Sequence, residues 1–353
     1  MTRANTSAKA VILVGGEGTR LRPLTYEMPK PMVPVLNRPF LEHTLAYLNN
    51  YEVNDIILAL GYLPGVVQDY FGDGSGWGVH LSYAVEDNPL GTGGAVKNVE
   101  KQMDSTFVVL NGDIFSDIDI ADMLAFHRNK GAKVTIALTL VDDPCPFGVV
   151  ETDSEGRVKR FVEKPSPDRV TTHWINAGIY IMEPEVLQHI PPNTHYMFER
   201  GLFPRLLELG EPVYGYPSSG YWLDMGTPKK YLCLNCDLLL AKAKSALISG
   251  LTEGKVCCER DVVIHPSAKI AGPVIIGSGC KIDQKAYIKG PVVIGPDCHI
   301  GESASIEETV LWDGVDTGAG ATVKRCILGS NIRINENDQI ANCAITVKEA
   351  QGW

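Results

Sequence analysis

No apolar run in this chain is longer than a strand. The longest, such as Val11–Val14 and Ile56–Leu60, stop far short of the length needed to cross a bilayer as a helix, so no membrane partner is expected. Positive charge is also scarce: 32 Lys and Arg stand against 42 Asp and Glu, a net charge of −10. That balance argues against the broad basic face a nucleic acid polymer requires, so any anionic ligand is expected to be small and met by a few local cations. Cysteine pairing is not indicated, because nine is an odd number spread through 353 residues, which points to a reducing cytoplasm. The polar stretch Met1–Ala8 has no apolar segment of the secretory kind and reads as a frayed tail. The eight histidines show no metal-ligand spacing, and no Ser-His-Asp arrangement is visible.

What is present is a globular composition, 44% hydrophobic and 21% charged, in a chain long enough for one large or two ordinary domains. From Lys9 to about Leu240, short apolar strands alternate with amphipathic stretches. Lys9–Val14, Asp55–Leu60, His80–Val85 and Thr106–Leu110 read as strands, and Phe40–Asn50, Pro64–Phe71 and Thr92–Gln102 carry helical periodicity. This rhythm predicts an α/β domain: a Rossmann-like, mostly parallel sheet covered by helices, with ligands at the carboxyl ends of the strands. Two sequence features meet there, the glycine-rich turn after Val14 and "LNGD", Leu110–Asp113.

The rest of the chain carries a six-residue repeat. Ile264, Ile270, Ile276, Ile282, Ile288, Ile294, Ile300 and Ile306 are evenly spaced, and the position four after each is small or apolar, from Ala268 to Val310. Gly277, Gly295 and Gly301 directly follow three of these isoleucines. A hexapeptide period predicts a left-handed parallel β-helix of triangular coils. The frame slips around Trp312–Gly320, read as a loop, and resumes at Leu328, Ile334 and Ile340. The expected organisation is a tail over 1–8, a catalytic domain over 9–240, a linker over 241–262, the β-helix over 263–346 and a tail over 347–353. Cys280 and Cys298 fall one coil apart and are expected to stack as small interior residues. Cys233 and Cys236 form a C-x-x-C on an expected helix, Lys229–Leu240, without a second pair nearby; adjacent Cys257 and Cys258 cannot easily share one tetrahedral site. All nine cysteines are expected to be structural.

In "ILVGGEGTRLRPLTYEMPKPMVPV", Ile12–Val35, Gly15, Gly16 and Gly18 allow close backbone approach and present N–H groups to phosphate. Glycines alone would equally make a tight turn. The familiar loops do not match: no Lys-Ser or Lys-Thr follows for a P-loop, and Leu21 stands where a dinucleotide fingerprint needs glycine. Instead come Arg20, a fork of donors suited to phosphate, and Lys30 between two prolines that restrict the loop.

With "PLGTGGA" (Pro89–Ala95), "LNGD", "FGVV" (Phe147–Val150), "FVEKP" (Phe161–Pro165), "INAGIYIM" (Ile175–Met182) and "YWLDMGTP" (Tyr221–Pro228) in order, the chain resembles the sugar-1-phosphate nucleotidyltransferases over Lys9–Thr346. Within that family it looks most like the mannose-1-phosphate guanylyltransferases. The resemblance implies transfer of a nucleotidyl group from an NTP, best GTP, to a sugar 1-phosphate, best mannose 1-phosphate, with Mg²⁺ held by Asp113 and Asp224. It implies that Leu13, Gly15, Gly16, Gly18, Thr19, Gly91, Thr92 and Gly112 contact the nucleotide, and that Arg20 and Lys30 neutralise its phosphates. It implies that Gly148, Glu163, Lys164, Asn176 and Gly178 hold the sugar phosphate. Read alone, Asp113 could instead be a helix N-cap, and Glu163-Lys164-Pro165 an ordinary surface turn.

The reaction so implied is in-line displacement by a nucleophile that is already an anion, so alignment and electrostatics replace a general base. Rival readings are glucose 1-phosphate with UTP or dTTP, decided around Glu86–Gly94; an acyltransferase activity of the β-helix; and a non-catalytic regulatory subunit on the same fold. Against the acyltransferase, His265 and His299 sit inside regular repeats; against the regulatory subunit, Arg20, Lys30, Asp113, Lys164 and Asp224 are all present. The flat faces and open ends of a β-helix suggest a homo-oligomer.

Overall fold

A computed structural model of the chain describes residues 8–247 and 254–353. Most of the expected N-terminal tail and part of the expected linker lie outside the described residues. The chain forms two compact units: residues up to Glu17 with Thr44–Trp222, and Gly18–His43 with Leu223–Trp353. The division does not fall at the expected linker, because the glycine-rich loop from Gly18 onward belongs with the C-terminal residues.

The first unit is built on a nine-stranded sheet. Its middle strand, Lys9–Val14, is a run of Ala, Val, Ile and Leu buried on both faces, as a central parallel strand must be. It pairs in parallel with Asp55–Leu60 on one side and Phe107–Asn111 on the other, and Asp55–Leu60 pairs in parallel with His80–Val85. Helices Pro64–Phe71 and Gly91–Asn98 lie in the connections between these strands. The predicted helix to Gln102 ends earlier, giving way at Val99 to a short 3₁₀ turn, Glu100–Gln102. Beyond the first strands the sheet is mixed: Trp174–Met182 runs antiparallel to Phe107–Asn111 and to Val134–Leu140, while Gly148–Thr152 and Val158–Glu163 form an antiparallel hairpin. The aromatic rings of Tyr180, Phe198 and Phe203, all fully buried, pack together with centroids 5.5–5.7 Å apart and centre the core.

In the second unit the hexapeptide stretch is a solenoid of parallel strands. Ile264, Ile282 and Ile300 line one face, Ile270, Ile288 and Ile306 a second, and Ile276 and Ile294 a third. The glycines after these isoleucines stand at corners where a Cβ would strike the backbone of the next coil, 2.5 Å from Pro296 N at Gly277 and 2.6 Å from Trp312 C at Gly295. Cys280 and Cys298 stack in the interior, their thiols donating to the carbonyls of Gly295 and Trp312. All nine cysteines are free thiols.

The expected loop at Trp312–Gly320 is not there. Strands continue through Val310–Leu311, Asp316–Thr317 and Thr322–Leu328. What changes is the length of one side: Ile294 stands beside Leu311, not Trp312, so the side from Ile306 to Leu311 is one residue shorter than six. Leu311 then pairs with Leu328, and Leu328 with Ile345, so each later coil keeps one short side. A strict six-residue count drifts against that repeat and registers it as a slip. The solenoid also starts earlier and ends later than predicted. Val256–Cys258 pairs in register with Val274–Ile276, and Ala350–Gly352 turns back antiparallel on Cys343–Ile345, covering that part of the last coil's edge.

Candidate active site

The first unit brings most of the expected nucleotide and sugar residues to one edge of its sheet, at the carboxyl ends of the parallel strands and the facing ends of the antiparallel ones. Val14 lies level with Leu60 and Leu13 with Asn111, so the chain leaves all three strands at one height. The backbones come close immediately beyond. A Cβ on Gly61 would stand 2.5 Å from Gly15 O, and one on Gly112 would stand 2.3 Å from Val14 Cγ1 and 2.7 Å from Leu13 O. Gly112 N–H donates to that same Leu13 carbonyl at 2.9 Å. Gly112 therefore has a packing reason to be glycine, and it sets Asp113 at the strand end. Gly16 has nothing among the described residues within 4 Å of its Cβ position.

Gly91 opens its helix at φ 72°, where a side chain would meet Tyr196 O at 2.9 Å. The N–H groups of Gly93 and Gly94 both donate to Tyr196 O. The Thr92 hydroxyl is committed inside the protein: it donates to Glu199 Oε2 at 3.0 Å and accepts from Phe198 N at 2.9 Å. Thr92 thus fixes the geometry of this corner. Beside it Glu86, half-buried, accepts from Leu90 N and lies 3.8 Å from the Cβ position of Gly15. Loss of hydration raises its carboxyl above the ordinary glutamate value.

The sugar-side residues also converge. Glu163 pairs with Gly148 across the hairpin, and a Cβ at Gly148 would lie 2.6 Å from the Phe161 ring and 3.0 Å from Glu163 Oε2. Lys164 sits at φ 49°, an uncommon setting for a residue with a side chain, with its N–H on Phe147 O and its ammonium 3.8 Å from Glu163 Oε1. Gly178, at φ 70°, marks an irregularity in strand Trp174–Met182 and donates to Asn176 Oδ1. Asn176 Nδ2 in turn donates to the Tyr180 hydroxyl at 2.9 Å, and that hydroxyl faces Glu199 Oε1 at 3.5 Å.

Sequence reading missed three members of this network: Asn111, Tyr180 and Glu199. Asn111 stood in the quoted "LNGD" and Tyr180 in "INAGIYIM", but the stretch around Glu199, "MFERGLFP", belongs to none of the motifs that carried the resemblance. Glu199 is buried, and its carboxyl is raised above the usual range chiefly by desolvation, with Glu163 adding repulsion and Thr92 opposing. Tyr180, fully buried, is held well above its ordinary value by the same loss of water. Asn111 Oδ1 is buried without a hydrogen-bond partner among the described residues, next to Asp113.

The second unit holds Gly18, Thr19, Arg20, Lys30 and Asp224. Gly18, at φ 64°, caps a 3₁₀ turn Thr19–Leu21, and its carbonyl accepts from Thr25 Oγ1 at 2.8 Å. Leu21 and Leu24 are buried, so the turn is pinned from below while the Arg20 side chain stays 69% exposed. Lys30, in its own 3₁₀ turn behind Pro29, is buried. Asp224 lies under Gly226, whose Cβ position is 3.0 Å from both carboxylate oxygens. Its Oδ2 faces Lys230 Nζ at 3.6 Å and Arg20 Nη1 at 3.9 Å, and Oδ1 is buried with no hydrogen-bond partner among the described residues. A buried carboxylate oxygen left without a donor is a ready ligand for a hard cation, so Asp224 fits the magnesium ligand expected of it, with Lys230 and Arg20 as the positive charges that ion would have to share it with. Lys230, one turn into helix Pro228–Leu239, was not singled out from sequence.

The sequence pattern of the family described as "Nucleotidyl transferase" matches residues 9–240, and that of "EIF2B subunit epsilon LbH domain" matches 253–351. A mannose-1-phosphate guanylyltransferase from Mycobacterium tuberculosis is 39% identical over 324 residues, 91% of this chain and 84% of its own length. A UTP–glucose-1-phosphate uridylyltransferase from Synechocystis is 34% identical over 312 residues, 79% of this chain and 80% of its own. The crystal structure of HddC from Yersinia pseudotuberculosis complexed with GMP-PN superposes with a TM-score of 0.56 at 31% identity, covering 65% of this chain and 98% of that one. No described helix is long and apolar enough to cross a membrane.

The burial of Glu199 has a measurable sign. An acid whose pKa rises on folding binds its proton more tightly in the folded chain, so stability falls as pH climbs through the window above the ordinary value of 4.5. Glu199→Gln removes that slope. Its Tm relative to wild type should increase with pH above about 4.5 and level off once pH passes the raised folded value, in thermal melts; a pH-independent difference would refute the assignment.

Proposed function

The chain belongs to the nucleotidyl transferase family and is a sugar-1-phosphate nucleotidyltransferase, and from that premise we propose that it transfers a guanylyl group from GTP to mannose 1-phosphate, releasing pyrophosphate and GDP-mannose. The observation that carries the choice of base is Glu86, a half-buried carboxylate beside Gly15 at the strand ends. Guanine presents two adjacent donors, N1–H and the 2-amino group, on one edge. Uracil and thymine present a single N–H between two carbonyl oxygens, which a carboxylate repels. A glucose-1-phosphate uridylyltransferase or thymidylyltransferase is the alternative on the same framework.

In this reading the mannose 1-phosphate oxygen attacks the α-phosphorus of GTP in line, forming the new P–O bond as the bond to pyrophosphate breaks. Both partners are anions, so the chain's task is to bring them together. Arg20 and Lys30 offset the triphosphate and the charge growing on the leaving pyrophosphate, and Lys164 meets the phosphate of the sugar. Glu163, Asn176 and the backbone at Gly148 and Gly178 orient the sugar ring. Leu13, Gly15, Gly16, Gly18, Thr19, Gly91 and Gly112 form the nucleotide's bed, with Thr92 and Glu199 fixing its corner. Family members typically use a divalent metal; Asp113 and Asp224 would hold Mg²⁺ here, and when bound it supplies positive charge to the phosphates that react. A homo-oligomer in the cytoplasm remains the proposed state, supported by the apolar first coil, where Val263 is 62% exposed and Val256 and Ile264 are exposed beside it. Light scattering on the full chain should give a multiple of 38.4 kDa; the monomer mass would remove that part.

Pyrophosphate release with GTP, UTP, dTTP, ATP and CTP against mannose and glucose 1-phosphates tests the substrates. The GTP and mannose 1-phosphate pair should be fastest, and no product with any pair would favour the regulatory subunit. In the same assay Glu86→Gln should lower kcat/KM for GTP at least about tenfold while that for UTP holds or rises. An unchanged ratio would remove Glu86 from base selection. Asp113→Ala should lose at least about 100-fold in turnover, and near-normal release would sink the metal assignment.

A further inference from the structure

The stretch that carries Arg20 and Lys30 packs with the solenoid inside the second unit, through a small set of hydrogen bonds. At its far end Pro34–Val35 and Arg38–Pro39 form a tight hairpin turned by Leu36 and Asn37, both at positive φ. The Tyr231 hydroxyl donates to Pro34 O and accepts from Trp312 Nε1 at 3.0 Å. Tyr231 is fully buried and Trp312 nearly so. Leu36 N donates to Asn235 Oδ1 at 2.9 Å, and Asn37 Nδ2 donates to the carbonyl of Ile294 in the solenoid at 2.8 Å. Nearer the arginines, Tyr26 donates to Glu349 Oε2 at 2.5 Å and Lys348 pairs with Glu27 at 3.0 Å, beside a crevice of about 110 Å³. The loop is thus held at two places: at the hairpin by Tyr231 and Asn235 of helix Pro228–Leu239, tied to the solenoid through Trp312, and by the solenoid carbonyl of Ile294; and at Tyr26–Glu27 by Glu349 and Lys348 from the solenoid's end.

The shortened coil explains how Trp312 comes to be one of them. Counting six from Ile306 puts Trp312 inward, among the isoleucines. Because that side is one residue short, Leu311 takes the interior position and Trp312 falls at the corner, where its indole reaches Tyr231. A six-residue side would bury the indole in the core and leave the Tyr231 hydroxyl without this donor.

We propose that the solenoid is the positioning scaffold of the phosphate-binding loop, and that Trp312 and Tyr231 are positioning residues for nucleotidyl transfer. The proposal rests on the reading of Arg20 and Lys30 as triphosphate contacts. Tyr231 fixes Pro34, which fixes the turn behind Lys30; Trp312 fixes Tyr231. Prolines in the loop narrow its conformations but do not locate it, so the anchor decides where the two cations stand.

The test uses the full chain with GTP and mannose 1-phosphate. Trp312→Phe keeps a ring and removes the donor; Tyr231→Phe removes the shared hydroxyl. Each should raise the KM for GTP and lower kcat/KM for GTP by about fivefold or more, with the KM for mannose 1-phosphate changed less than twofold. Amide exchange over Pro29–Val35 should quicken in both. Tyr26→Phe and Glu349→Gln, at the exposed end, keep the question answerable should the buried variants fail to fold; they should give smaller effects of the same kind, no larger together than singly. Unchanged kinetics in all folded variants would overturn the proposal, as would equal rises in both KM values. Arg20→Ala separates the two failures: a fully active Arg20→Ala overturns the reading of the loop itself, whereas an inactive one beside normal anchor variants overturns only the scaffold.

Discussion

Three strand ends at one height constrain everything else in the first unit. Lys9–Val14 lies between two parallel partners in unbroken register, so the chain must leave the sheet three times at one edge. There is no room for side chains where it does so: Gly15 and Gly61 meet backbone to backbone, and Gly112 lies on Val14 and the Leu13 carbonyl. Any residue larger than glycine at 61 or 112 would part the strands. The same crowding that demands glycine leaves main-chain groups bare at the edge and sets Asp113 one residue beyond. The anion-binding role proposed for this corner would then be a by-product of packing parallel strands level, tuned by the side chains that flank each glycine.

The acidic balance of the chain is compatible with a doubly anionic reaction because the relevant charges act at short range. At physiological salt an exposed charge is felt over about 8 Å, so a surface excess of carboxylates scarcely reaches a ligand held against Arg20 or Lys164. The balance within each cluster matters more. Asp224 faces Lys230 and Arg20, both beyond ordinary hydrogen-bond distance, and keeps one oxygen without a donor among the described residues. Glu163 similarly stands 3.8 Å from Lys164 without closing on it. Ion pairs held loosely in this way retain attraction for a third partner.

Much of this was legible in the sequence because it is written in local pattern. Strands Lys9–Val14, Asp55–Leu60 and His80–Val85 have the predicted bounds, since the aliphatic runs of the first two and the short mixed stretch HLSYAV of the third each lie between polar turns. The repeat announced the solenoid, since each coil reuses one interior. What was not legible depends on pairing at a distance. Nothing local states that Trp174–Met182 runs antiparallel in the sheet, nor that its Tyr180 meets Glu199. The one-residue contraction after Ile306 looked like lost order because a fixed period was imposed on a coil that keeps its shape by shortening one side. Among the site residues, those in glycine-bearing motifs could be found, while Glu199 and Lys230, single polar side chains on helical turns, carry no spacing to betray them.

The grouping of the loop Gly18–His43 with the solenoid changes how the two family patterns relate. The match over 9–240 crosses from one compact unit into the other, so the sequence unit of the enzyme is not the packing unit of the chain. A stacked solenoid suits the part of a scaffold. Each coil contacts only its neighbours, and interior isoleucines fix their spacing, so a corner residue such as Trp312 is held by the coils on either side. Loops that must present two cations to a multiply charged ligand need such a support. Freezing them on binding would cost conformational entropy, and holding them beforehand moves that cost into folding. On that argument the short coil side, far from Arg20 in sequence, is as much a part of the phosphate site's design as the prolines beside Lys30.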